Sequence, residues 1–146
     1  PLISWITSRL DSIKNVYILI HLIVFFSWIG LFVSGVKPPF MMVVALLFII
    51  GFGNGASSLT FAVVRKSFPI EEVGVVSGFS NMGGFLSAVL LPSIFGKILD
   101  LFQQHSIHVG YHYGFIIPVL FSLIGLVGVM LIKEPKKEKT SVLVAS

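Results

Sequence analysis

The chain has 146 residues, of which 55% are hydrophobic and only 11% are charged, and its mean hydropathy is +1.01. Because small domains expose a large share of their surface, so apolar a composition excludes an ordinary soluble domain, and it equally excludes a disordered chain. The formal net charge of +4 fits the basic cytoplasmic loops of membrane proteins, so no nucleic-acid partner is expected.

Four apolar segments follow one another, at residues 16–36, 38–64, 73–96 and 113–132, and none contains a formally charged residue. Each is long enough for a helix to cross a hydrocarbon core about 30 Å thick. The sequence therefore predicts an all-α, polytopic membrane helix bundle with four transmembrane helices over residues 15–134. The expected environment is the lipid bilayer.

Lysine and arginine residues indicate the orientation of these spans. Two of them, Lys37 and Lys97, would lie on one side of the membrane. Eight would lie on the side shared by both ends of the chain: Arg9, Lys14, Arg65, Lys66, Lys133, Lys136, Lys137 and Lys139. Since cytoplasmic loops collect positive charge, we expect both termini, including the tail at 135–146, to be cytoplasmic. The cell membrane is the expected location.

The second span is the best candidate for lining a solute path. Three glycines lie within residues 51–55, and glycine in a membrane helix permits close packing, bending or local unwinding beside a site. The polar residues that follow share one helical face with an aromatic ring. We expect the path to be lined by Asn54, Ser57, Ser58 and Phe61, although polar contacts between helices would give the same pattern.

The third span is predicted to pack closely on another helix. Small residues and a proline recur every fourth position from residue 80 to residue 96, which places them along one stripe. Such stripes let membrane helices approach each other, and a proline removes one backbone hydrogen bond. An amide in hydrocarbon also needs a partner. The interface or gating candidates are Ser77, Asn81, Gly84 and Pro92.

The histidines are the remaining candidates for chemistry. His21, alone in the first span, is expected to be a hydrogen-bonded packing residue. His105, His108 and His112 would share a helical face and could bind zinc, but Gly110 is expected to interrupt that helix. With no cysteine, no P-loop and no paired nucleophile and base in the sequence, we expect no enzyme activity, no cofactor and no metal site.

Several motifs occur in a characteristic order. The glycine-rich second span runs into Arg65-Lys66-x-Phe68-Pro69, and a short acidic loop follows. The pattern G-x-x-x-G-x-x-N-x-G-G then extends over residues 74–84, and Pro92-x-x-x-Gly96-x-x-x-Asp100 continues it. This order resembles the C-terminal third of a major facilitator superfamily transporter. On this resemblance, the four spans correspond to helices nine to twelve of twelve.

The first residues also resemble part of that family. Residues 1–14 would be the end of helix eight and the cytoplasmic loop after it, which in the family often reads G-x-x-x-D-R-x-x-R/K. Arg9 and Lys14 supply its basic residues, while Ser4 and Ser8 replace its glycine and aspartate. The loss of the aspartate and glycine of the family pattern argues against gating through the charge contact that is usual for this loop.

The resemblance implies a secondary transporter of a small polar or anionic solute, which works by alternating access of two six-helix bundles. In the family, helix ten lines the cavity and helix eleven packs on the other half. The chain would then be a fragment whose partners are the missing N-terminal helices, and it would not transport alone. The alternatives are a stand-alone membrane subunit or scaffold, and a metal-binding protein or membrane enzyme that uses the histidines.

Overall fold

The computed structural model describes residues 13–55, 57–103 and 106–132, and this part of the chain is helical without strands. In chain order the helices are α1 (Ile13–Val33), α2 (Phe40–Asn54), α3 (Ser57–Ser67), α4 (Ile70–Phe102), α5 (Ile107–Gly114) and α6 (Ile116–Leu131). Three helical stretches are long and apolar enough to cross a membrane: Lys14–Val33, Ile70–Phe102 and Ile107–Leu131. A shorter apolar helix, Phe40–Asn54, accompanies them, and the predicted all-α membrane helix bundle is confirmed.

The helix boundaries follow from glycine and proline. After α1 the chain reverses at Gly35, whose φ of +84° is costly for any residue with a Cβ atom. Pro39 and Pro69 precede α2 and α4, where the missing N–H costs no helical hydrogen bond. Glu71 and Glu72 occupy the first turn of α4, where negative charge favours the helix dipole.

Helix α1 lies at the centre of the packing. It packs mainly on α6 and α2, and it also contacts α3 and α5. The most deeply buried side chain among the described residues is Leu31 of α1. The other buried apolar side chains include Val16, Ile50, Val64, Pro118, Leu126 and Val129. This small core leaves the outer apolar faces to lipid or to other protein.

Helix α4 is packed differently, because none of its residues is buried. It contacts α3, α5 and α6, while the side chains of its middle turns, such as Phe79 and Phe85, are exposed. A 33-residue helix with so much apolar surface is stable only where lipid or further helices cover it.

The second span consists of two helices, because α2 ends at Asn54 and α3 begins at Ser57, which is consistent with the local unwinding that its glycines permit. One expectation about continuity was wrong. Gly110 does not interrupt the approach to the fourth span, because it lies inside α5. A Cβ atom there would lie 3.2 Å from Leu99 Cδ2 and from Phe102 Cβ, so this glycine allows α5 to approach α4 closely.

Candidate transport site

The interruption of the second span is the most distinctive backbone feature of the described chain. Gly55 follows α2 in a right-handed conformation, and its N–H donates to the Phe52 carbonyl at 3.1 Å, as in a tightened last turn. Glycine is weakly helical, so three glycines over residues 51–55 make this the place where a helix ends. The break sets Asn54 and the start of α3 inside an otherwise apolar span.

Gly53 fixes the position of this break against α1. A Cβ atom on Gly53 would overlap Val24 Cγ2, whereas Gly51, two residues earlier, has open space around it. The backbone at Gly53 therefore contacts a side chain of α1 directly, and only glycine permits so short a distance. The end of α2 is therefore held against α1, although the second span is interrupted directly after it.

The predicted path residues lie on both sides of the break. Asn54 is exposed at the end of α2, and Phe61 of α3 is 43% exposed. Ser57 and Ser58 belong to the first turn of α3, but their side chains lie outside the described part of the structure. Asn54 and Phe61 are thus both exposed, and the role of these four residues as the wall of a solute path remains a prediction.

The opposite face of α3 makes a polar contact that the sequence analysis missed. The hydroxyls of Tyr17 in α1 and Thr60 in α3 are hydrogen-bonded at 2.6 Å. His21 Nδ1 bonds the Tyr17 carbonyl oxygen at 3.0 Å, and the Tyr17 and His21 rings meet edge to face. His21 is therefore the hydrogen-bonded packing residue that was expected. Thr60 lies two positions after Ser58, which indicates opposite helical faces, but no local signal in the sequence links Thr60 to Tyr17.

A partly open pocket of about 490 Å³ lies beside this contact, and we call it the hydroxyl pocket. Three hydroxyl-bearing residues from three different helices line it: Tyr17, Thr60 and Ser80. The other lining residues are apolar: Val63, Val64, Phe68, Val76 and Ile132. The pocket combines hydroxyl donors and acceptors with a hydrophobic wall, which suits an amphipathic ligand.

The interface candidates of the third span lie on α4. Asn81, Gly84 and Pro92 are exposed and Ser77 is half-buried. A Cβ atom on Gly84 would have no neighbour within 4 Å among the described residues. Helix α4 continues through Pro92 to Phe102. The stripe therefore has open space at Gly84, and its role as an interface stays a prediction.

The cytoplasmic-loop candidates are only partly described. Arg9 lies outside the described residues, and Lys14 is half-buried in the first turn of α1. Arg65 is exposed near the end of α3, and the structure does not describe the side chain of Lys66. The start of α1 and the end of α3 are at the same end of the bundle, because both Val64 and Tyr17 line the hydroxyl pocket.

One histidine of the fourth region, His112, lies in an aromatic cluster. His112 stacks on Phe32 with ring centroids 4.9 Å apart, and it meets Tyr113 edge to face. His108 is exposed on the same helix, and His105 lies outside the described residues. No three potential ligands come together in the part of the chain that the structure describes. The geometry offers the metal hypothesis no support.

Comparison with known proteins gives the family. The D-galactonate transporter of Escherichia coli O6:H1 (strain CFT073) is 31% identical over 58 residues, which make up 40% of this chain and 14% of that protein. The match thus covers a small part of that relative's length. No solved structure matches the chain. The sequence profile of the Major Facilitator Superfamily matches residues 1–145, almost the whole chain, and this chain is therefore an integral membrane protein that belongs to the major facilitator superfamily.

Proposed function

We propose that this chain is part of a secondary transporter that moves a small polar or anionic solute across the cell membrane by alternating access. The observation that carries the proposal is the interrupted second span, in which Asn54 and Phe61 are exposed on either side of the interruption, in a member of this superfamily. Interrupted helices bring polar groups to the middle of the bilayer, where transporters bind their solutes. Asn54 would hydrogen-bond the solute, and Phe61 would contact its apolar surface.

The exposed surface of α4 supports the proposal that further helices complete the transporter. Alternating access requires two bundles that move against each other, and four spans supply less than one bundle of six. The middle of α4 is apolar, its residues Asn81 and Gly84 are exposed, and a Cβ atom on Gly84 would have no neighbour within 4 Å among the described residues. An amide inside a membrane needs a hydrogen-bond partner, and the N-terminal helices of the same protein would provide it.

The preference for an anion rests on two observations. The relative that aligns with part of this chain is named a D-galactonate transporter, and D-galactonate is an anion. Basic residues also lie at one end of the bundle, with Lys14 at the start of α1 and Arg65 near the end of α3. Positive charge at a pathway entrance raises the local concentration of anions. By the positive-inside rule, this basic end is also the cytoplasmic one.

The test is solute uptake by the natural full-length protein reconstituted in liposomes, with labelled D-galactonate and uncharged D-galactose as probes. Asn54→Leu should lower the uptake of the transported probe about tenfold, the usual effect of losing one hydrogen bond to a bound solute. The matched control is Phe52→Leu, which changes an exposed residue of the same helix and should leave uptake unchanged.

Equal uptake by the Asn54 and Phe52 variants would remove Asn54 from the path. D-galactose uptake without D-galactonate uptake would refute the preference for an anion. If the natural polypeptide carried no more than these four spans, alternating access within one chain would be refuted, and a subunit or scaffold role would replace it.

A further inference from the structure

We propose that Tyr17 of α1 is a positioning residue for solute binding, because its hydrogen bond to Thr60 sets the rotation of α3 about its own axis. The proposal rests on the transport function proposed above, and it adds a residue on a helix to which that function assigns no contact with the solute. Helix α3 carries three of the four path candidates, namely Ser57, Ser58 and Phe61. A change in its rotation would therefore move the wall of the path.

The interruption of the second span leaves the rotation of α3 to contacts with other helices. In a continuous helix, backbone hydrogen bonds fix the direction of each residue relative to the turn before it. Here α2 ends at Asn54 and is held on α1 at Gly53, whereas α3 begins anew at Ser57. Helix α3 packs mainly on α4, none of whose residues is buried, and it also contacts α1. A strong side-chain contact with α1 is thus well placed to decide how α3 is turned.

The Tyr17 hydroxyl is suited to this role because its ring is itself held in place. His21, one turn further along α1, meets that ring edge to face with centroids 4.5 Å apart. The oxygens of Tyr17 and Thr60 are 2.6 Å apart, at the short end of the range for hydroxyl pairs. Thr60 carries its hydroxyl on the Cβ atom, so only one rotatable bond separates the contact from the α3 backbone. The bond therefore constrains the backbone of α3 directly.

The expected displacement is large on the scale of solute recognition. Phe61 follows Thr60 directly, so it lies about 100° further around the helix. Side chains reach about 5–6 Å from the axis of a helix, and a rotation of about 20° moves their ends by about 2 Å. A hydrogen bond is lost when its atoms separate by that much. Losing one such contact lowers the affinity for the solute about fivefold.

Uptake kinetics of the natural full-length protein in liposomes test the proposal, with labelled D-galactonate and D-galactose as probes. Tyr17→Phe should raise the KM of the transported probe about fivefold and change the maximal rate per folded protein little. Thr60→Val should raise KM by the same factor, and the double variant should raise it no further, because both changes remove one bond. Thr60→Ser retains a hydroxyl on the Cβ atom and should retain the KM of the wild type.

The matched control is Ser27→Ala, which removes another hydroxyl from α1. Ser27 is buried, and its hydroxyl donates to the Ile23 carbonyl of the same helix at 2.8 Å. Its loss should therefore affect α1 without turning α3, and KM should stay at the wild-type value. A purely structural role of Tyr17 would instead lower the amount of folded protein and leave KM unchanged in both variants.

A nitroxide label gives a second readout that needs no transport. This chain contains no cysteine, so one introduced cysteine carries the label once any elsewhere in the full protein are replaced. With the label at Phe61→Cys, adding Tyr17→Phe should change the electron paramagnetic resonance spectrum, because α3 turns. With the label at Phe52→Cys, the spectrum should not change, because Phe52 is exposed on α2, whose end is held on α1 at Gly53.

A raised KM that Thr60→Ser avoids, together with a spectral change at position 61 only, would support the proposal. Three results would overturn it: a Tyr17→Phe variant with the KM of the wild type, a Thr60→Ser variant as impaired as Thr60→Val, or an unchanged spectrum at position 61. If the wild type moved neither probe, only the transport proposal would be contradicted. The nitroxide comparison would then decide whether the bond orients α3.

Discussion

Gly114 is the position where the close packing of α4 and α5 can be tested most sharply. A Cβ atom on Gly114 would lie 2.7 Å from both Cε2 and Cζ of Phe95 and 3.1 Å from Cδ2. Carbon atoms in contact rest about 3.5–4.0 Å apart, so Gly114→Ala forces the ring or a helix to move by about 1 Å. The ring has little freedom to move, because Tyr111 and Phe115 each pack against it with centroids 6.0 Å apart.

The expected cost follows from two opposing effects. Overpacking of a well-packed site lowers the free energy of unfolding by about 1–3 kcal/mol, while replacing a helical glycine by alanine raises it by about 0.5–1 kcal/mol. Gly114→Ala should therefore destabilise the protein by about 1–2 kcal/mol. Gly128→Ala is the matched control in α6, since its Cβ atom would have no neighbour within 4 Å, and it should be neutral or slightly stabilising.

The assay is thermal unfolding of the natural full-length protein in detergent, followed by tryptophan fluorescence. The midpoint of Gly114→Ala should fall by about 2–4 °C for each kcal/mol lost, and the midpoint of Gly128→Ala should not fall. In a background of Phe95→Leu, the added methyl group should cost much less, because the ring that it meets is gone. Equal midpoints for the two glycine variants, or an undiminished cost in the Phe95→Leu background, would refute the reasoning.

The same unfolding assay checks two further contacts. Tyr17→Phe and Thr60→Val each remove the 2.6 Å hydrogen bond and should each cost about 0.5–1 kcal/mol, and the double variant should cost little more than either single one. Fully additive losses would mean that the two hydroxyls are not coupled. Gly53→Ala overlaps Val24 and should lower the midpoint, Val24→Ala should restore it, and Gly51→Ala should have no effect. A loss at Gly51 as large as at Gly53 would contradict the close contact between α1 and α2.

The sequence predicts the helical class and the membrane environment well, because both depend on local composition. A charge-free run such as residues 16–36 needs only its length and hydropathy to be assigned to a membrane helix. Glycine was harder to interpret. Gly110 and the glycines of residues 51–55 look alike in sequence, yet α5 continues through Gly110 while the second span stops at Gly55. The difference depends on whether a neighbouring helix needs the space, which is a property of the packing.

The candidate site shows the same division. The positions of Asn54 and Phe61 near a glycine-rich segment were readable from the sequence, and the structure leaves both exposed. The hydrogen bond between Tyr17 and Thr60 could not be predicted from the sequence, because it joins residues 43 positions apart. For the small residues of α4, the sequence predicted a contact that the structure does not show. Their spacing predicted a partner helix, but a Cβ atom on Gly84 would have no neighbour within 4 Å among the described residues.

By itself, the sequence determined that this protein is a set of apolar helices in a bilayer, with basic residues grouped at one end. Hydropathy and charge suffice for that, because the free energy of transferring a segment into lipid is a sum of contributions from neighbouring residues. Only the tertiary structure decided that α1 is the centre of the packing, that the second span is interrupted, and that hydroxyl-bearing residues of three helices line one pocket. These features depend on contacts between distant segments, which are set by the fit of side chains and glycine surfaces in three dimensions.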